Sequence, residues 1–147
     1  MLRNPDGSRW STGEGWARSR SSRLPTVGVT RIVPYADGHD IAASRDFYVG
    51  VLGLEVGMED PVLDLSSPAN PTAQIVIPPP GMDDPQPRFG VDVGDAAAVD
   101  AAHAEALRRG LSVVYPLTDE PWGIRRFFVE DPGGTVVSVL AHIDAAA

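Results

Sequence analysis

The sequence predicts an α+β fold of two βαβββ modules. Three observations carry that prediction. A strand, a helix and further strands follow one another from Val27 to Ile77, and the same order starts again at Arg88. The stretch Pro78-Pro79-Pro80-Gly81, continuing to Pro87, separates the two copies; it admits neither helix nor central strand. The chain has 147 residues, the length of one compact domain. Two copies in one domain leave two sheets whose open edges must be paired together.

Residues 1–25 are rich in Ser, Arg, Gly and Pro, cannot bury enough apolar surface to offset ordering, and are expected to form a disordered tail. A transit peptide has a similar composition, but Pro5, Gly7, Gly13 and Gly15 oppose the amphipathic helix it needs. The domain then occupies 26–147, with module one at about 27–78, a linker at 79–87 and module two at 88–143.

In module one, Val27–Tyr35 reads as a strand and Asp40 caps a helix reaching about Val49. Gly50 and Gly53 end it, and strands follow at Leu54–Met58, Val62–Ser66 and Ala73–Ile77. In module two, Arg88–Val93 is a strand, and Asp95 caps a helix to Arg109 closed by Gly110. Val99, Ala102, Ala106 and Leu107 form its apolar stripe. Leu111–Tyr115 is a strand stopped by Pro116. Phe127–Val129 and Val136–Leu140 then form a hairpin around Asp131-Pro132-Gly133-Gly134, where proline fixes one φ and the glycines permit positive φ.

Composition excludes several classes of chemistry. There is no cysteine, so no disulfide framework, thiolate metal site or cysteine nucleophile exists. Every basic residue is arginine, which removes lysine Schiff-base chemistry. The net charge is -8. Five arginines crowd the first 25 residues, so the body is more acidic still. Such a body disfavours nucleic acid and suits cationic or neutral ligands. No apolar run approaches the roughly 20 residues that a membrane helix needs, and a cytoplasmic protein without membrane association is expected.

Two stretches carry a resemblance. Ser44-Arg45-Asp46-Phe47-Tyr48-Val49-Gly50-Val51-Leu52-Gly53-Leu54 is similar to the first-helix signature of the vicinal oxygen chelate superfamily, also called the glyoxalase/bleomycin-resistance/dioxygenase family. Trp122-Gly123-Ile124-Arg125-Arg126-Phe127, running on to Asp131-Pro132-Gly133-Gly134, resembles a run common among its bleomycin-resistance-like members. The match in order spans roughly residues 28–142. It implies two modules whose curved mixed sheets surround a cleft, often in a homodimer. Metal-dependent members carry His, Gln or Glu ligands on the first and last strand of each module. The corresponding places here fall at Val33, Val76, Arg88 and, seven residues beyond Asp131, Ser138. None is a usual divalent-metal ligand, so neither a metal nor another cofactor is expected.

Other residues remain candidates for contact with a small-molecule ligand. Gln74 shares strand parity with Val76 and faces the cleft, its amide bonded either by the chain itself or by a ligand. Arg88 brings charge to a vacated ligand place or sits at the strand's solvent end. Trp122 stacks on a flat or cationic ligand at the rim, or plugs the sheet's end. Arg125 and Arg126 point to opposite faces, and an inward Arg125 would fix a carboxylate or phosphate, against a plain surface ion pair. Ser138 and His142 share a face, and His142 is either an acid/base or a polar strand end. His39 reads as a loop residue, and His103, one helical turn from Asp100, as a solvated pair. The leading expectation is metal-independent small-molecule binding, with an antibiotic or metabolite sequestered. The alternatives are a metal-independent isomerase, lyase or cyclase using the same cleft, and a structural or regulatory dimer.

Overall fold

The computed structural model describes residues 28–143. The tail expected at 1–25 lies outside them. Eight strands form: β1 (Arg31–Pro34), β2 (Glu55–Met58), β3 (Leu63–Ser67), β4 (Asn70–Ile77), β5 (Phe89–Asp92), β6 (Val113–Glu120), β7 (Ile124–Glu130) and β8 (Val136–His142). Helix α1 (Ile41–Arg45) continues as a wider π-helical turn, Asp46–Val51, and α2 spans Ala96–Arg108. The protein is thus α+β, with two curved sheets and few helices.

Local chemistry accounts for the helices. Asp40 Oδ1 accepts from the Ala43 amide at 3.0 Å, and Asp95 Oδ1 accepts from the Ala98 amide at 2.8 Å, so each helix starts on a carboxylate cap. Past α2, Gly110 adopts φ +68, a backbone that favours glycine. The first helix differs from expectation. Its second half is π-helical and takes in Gly50, so the chain does not stop until Gly53, at φ +72.

The sheets are ordered β1-β5-β8-β7-β6 and β2-β3-β4. The edge-pairing demanded by a repeated module is met by β1, which leaves the sheet of its own module. It pairs antiparallel with β5, Val33 opposite Gly90. Against β4, the residue after β1 makes one parallel bridge, Tyr35 to Val76, and no ladder. Strand β6 runs through Pro116 to Glu120 rather than stopping at Tyr115. It can do so because β6 is an edge strand with an irregular register between Tyr115 and Thr118, where a missing amide hydrogen is tolerated.

Each sheet buries its outer face under a helix. Val93, Val99, Ala106, Phe127 and Ala141 form one core below α2. Leu63, Leu65 and Ile77 form the other, with Ile41 and Tyr48 packed on it. Full burial of each Val, Leu, Ile or Phe side chain among them contributes on the order of 2 kcal/mol. The opposite, concave faces remain, and the linker after Ile77 crosses their mouth.

Candidate functional site

The concave faces enclose a cavity of about 110 Å³. Period two in the strands decides which side chains reach it. Arg31, Val33 and Tyr35 come from β1 and its end, Asp64 from β3, Gln74 and Val76 from β4, and Ile124 and Arg126 from β7. Leu140 and His142 of β8 complete the wall, and Pro78, Met82 and Asp83 of the linker close one side.

Two arginines organise the polar part. Arg31 Nε donates to Asp92 Oδ2 at 2.8 Å, one Nη donates to Gln74 Oε1, and the other donates to His142 Nε2 at 2.8 Å. Gln74 passes the polarity on, its Nε2 donating to Asp64 Oδ1 at 2.7 Å. Arg126 is held differently. Its two Nη atoms donate to the two oxygens of Asp83, at 3.3 and 2.9 Å, and its Nε donates to Glu120 at 3.1 Å. Its guanidinium carbon lies 5.2, 5.3 and 4.8 Å from the ring centres of Tyr115, Trp122 and Phe128. Burial works against this cation, but Asp83 and Glu120 outweigh it and raise its pKa above the ordinary value.

Below the cavity, Tyr35 lies against Gly90. A methyl group on Gly90 would meet Tyr35 Oη at 2.7 Å and Leu140 Cδ2 at 2.9 Å, so only glycine admits the phenol there. Burial raises the Tyr35 pKa, an effect that the neighbouring Ser138 hydroxyl partly offsets. Ser138 itself is fully buried, and its Oγ makes no hydrogen bond of normal geometry with the described residues.

Of the candidates named from sequence, Gln74, Trp122 and His142 line the cavity, and Ser138 is buried on the same strand face as Leu140 and His142. Two lie elsewhere. Arg125 stands opposite Ala141, whose side chain belongs to the core under α2, and cross-strand partners share a face. It therefore points outward, bonding Asp119 and Asp100. The inward arginine is Arg126, opposite the cavity residue Leu140. Arg88 is exposed just before β5 and borders an adjoining, open depression with Asp37, His39 and Pro80. Trp122, expected either to stack on a flat or cationic ligand or to plug the sheet's end, has the cation of Arg126 over its ring.

Arg31 and Asp64 are not among the candidates named from sequence. Parity would have found them, because Arg31 alternates with Val33 and Asp64 alternates with Val62.

The superfamily's metal does not fit these residues. Val33 and Val76 are aliphatic, Ser138 offers one buried hydroxyl, and Arg88 is outside the cavity. Among the described residues, no three of His, Asp and Glu come together as a metal site.

The sequence model of the Glyoxalase/Bleomycin resistance protein/Dioxygenase superfamily matches residues 38–139. The chain belongs to that superfamily. Among solved structures it resembles methylmalonyl-CoA epimerase from Mycobacterium tuberculosis, with TM-score 0.62 and 18% identity over 86% of this chain and 95% of that one. It also resembles a member of the same superfamily from Vibrio splendidus 12B01, with TM-score 0.53 and 22% identity over 76% and 97% of the two chains. A third is homoprotocatechuate 2,3-dioxygenase from Arthrobacter globiformis, with TM-score 0.56 and 25% identity over 85% of this chain but 40% of the other. No curated protein sequence matches this one at a significant level.

Proposed function

We propose that this protein binds a small organic molecule in the cleft between its two sheets, without a metal ion, in the manner of bleomycin-resistance-like members. The observation that carries the reading is the exchange of lining at the superfamily's ligand places. Val33 and Val76 make aliphatic wall where a metal site needs donors, and the polar groups that remain are fixed by one another. Such a pocket, apolar with a few oriented polar groups, is the ordinary form of a small-molecule site.

Native mass spectrometry of the purified chain, with titration against cationic glycopeptide and aromatic antibiotics, tests the reading. A co-purified organic ligand or a saturable heat of binding is expected. Stoichiometric Zn, Ni, Mn or Fe on elemental analysis would overturn it.

A metal-independent isomerase, lyase or cyclase is the second reading. Its support is His142, which accepts from Arg31 at Nε2 and so presents an oriented imidazole at the cleft. Turnover retained in a folded His142→Ala variant would remove that residue from the chemistry. We also propose a homodimer, on the exposed side chains of Phe47, Val51 and Leu52; light scattering on the eluting protein gives its mass.

A further inference from the structure

We propose that the cleft takes an α-amino acid with an apolar side chain, its carboxylate held by Arg31 and its ammonium by Asp64. This rests on the binding reading above and names the class of ligand.

The first observation is the state of Arg31. A guanidinium has five N–H donors. Among the described residues three find acceptors, on Asp92, Gln74 and His142, and each terminal nitrogen keeps one N–H. The group is thus immobilised with one unspent donor on each terminal nitrogen, and both can meet carboxylate oxygens. Its side chain is 22% exposed, and it lines the cavity.

The second observation is Asp64, independent of the first. Asp92 is paired with Arg31, and Asp83 and Glu120 are paired with Arg126. Asp64 lines the same cavity, and no arginine or histidine among the described residues forms an ion pair with it. Its Oδ1 accepts from Gln74, and its Oδ2 makes no hydrogen bond with those residues. A carboxylate in such a wall wants a cation.

Gln74 supplies the spacing. Its amide runs from Arg31 to Asp64, oxygen toward the cation and nitrogen toward the anion. One amide and two hydrogen bonds span roughly 8 Å at most. A carboxylate and an ammonium on one carbon, each with its own hydrogen bond, span about the same. The ligand's dipole therefore runs parallel to that of Gln74. A lone anion would face Asp64 and a lone cation would face Arg31, whereas a zwitterion meets an opposite charge at each end. Val33, Val62, Val76 and Leu140 remain for its side chain.

Saturation-transfer NMR and calorimetry on the full chain test this with four probes of one skeleton: L-leucine, 4-methylpentanoate, 3-methylbutylamine and 4-methylpentan-1-ol. L-leucine is expected to bind at least about tenfold tighter than each of the others, the equivalent of one lost polar contact. Arg31→Met is expected to bring L-leucine down to the amine, and Asp64→Asn to bring it down to 4-methylpentanoate. The wild-type comparison needs no variant, so a misfolded mutant does not blunt it. Equal binding of L-leucine and any analogue overturns the zwitterion and leaves a binding cleft standing. No binding of any probe also overturns it, while a co-purified ligand in the native mass still upholds the cleft.

Discussion

Arg31 donates through Nη2 to His142 Nε2 at 2.8 Å. A guanidinium has no acceptor, so this contact holds His142 as the tautomer protonated on Nδ1. Nitrogen-15 correlation spectra at neutral pH are expected to show that tautomer for one histidine. In Arg31→Met the preference should fade toward a mixture, and an unchanged spectrum would place the contact outside solution behaviour.

Arg126 is shared between two carboxylates in a confined space. The Arg126 and Asp83 side chains are 9% and 6% exposed, and that of Glu120 is 9% exposed. Arg126→Met strands both acids and is expected to cost about 3–5 kcal/mol, read from urea unfolding. Adding Asp83→Asn and Glu120→Gln removes the stranded charges and should return most of the loss. A single variant as stable as the parent would show that the triad carries no stability.

Gly90 is predicted to be intolerant of even one methyl group. Gly90→Ala gains about 0.4–1 kcal/mol through the unfolded chain but overpacks Tyr35 and Leu140 at a cost of about 1–3 kcal/mol. The steric effect wins, and net destabilisation is expected. Tyr35→Phe in the same chain removes the oxygen that sits 2.7 Å from the added carbon, so the double variant should lose less than Gly90→Ala alone. Additive losses would place the clash elsewhere.

Alkaline stability follows from Tyr35. Burial raises its folded pKa above the ordinary value of 10.0, so the folded state keeps the phenol proton longer than the unfolded state. The stabilisation is therefore complete below pH 10.0 and is lost as pH rises through the folded value. Thermal unfolding followed above that pH is expected to fall more steeply for the parent than for Tyr35→Phe. Parallel curves would mean that the phenol titrates normally.

Much of this architecture could be read from the amino acids because it rests on local signals. The Asp40 and Asp95 caps, the Asp-Pro-Gly-Gly turn and the repeated order of strands and helix each act over a few residues. Strand ends were less legible. Pro116 argues for a stop unless β6 is known to be an edge, which is a fact about its neighbours. The site divides in the same way. Gln74, Trp122 and His142 follow from parity along one strand or from a motif. Arg126 in place of Arg125 depends on which face of β7 meets α2, and that is settled by packing. Asp64 stands out only once Asp83, Asp92 and Glu120 are seen to be taken.

The departure of β1 from its own module has a mechanical consequence. The two sheets are leaves joined along β1 and β4, where Tyr35 bridges Val76, the Ala36 amide donates to the Val76 carbonyl at 3.0 Å and Arg31 donates to Gln74; this joint is the hinge. Arg31, Leu140 and His142 stand on one leaf, and Asp64 and Gln74 stand on the other. Whatever fills the space between them becomes a clasp across the hinge. Occupancy should therefore slow amide hydrogen exchange at Ala36 and raise the melting temperature in proportion to the logarithm of ligand concentration. That makes breathing of the fold a reporter of binding that needs no knowledge of any reaction.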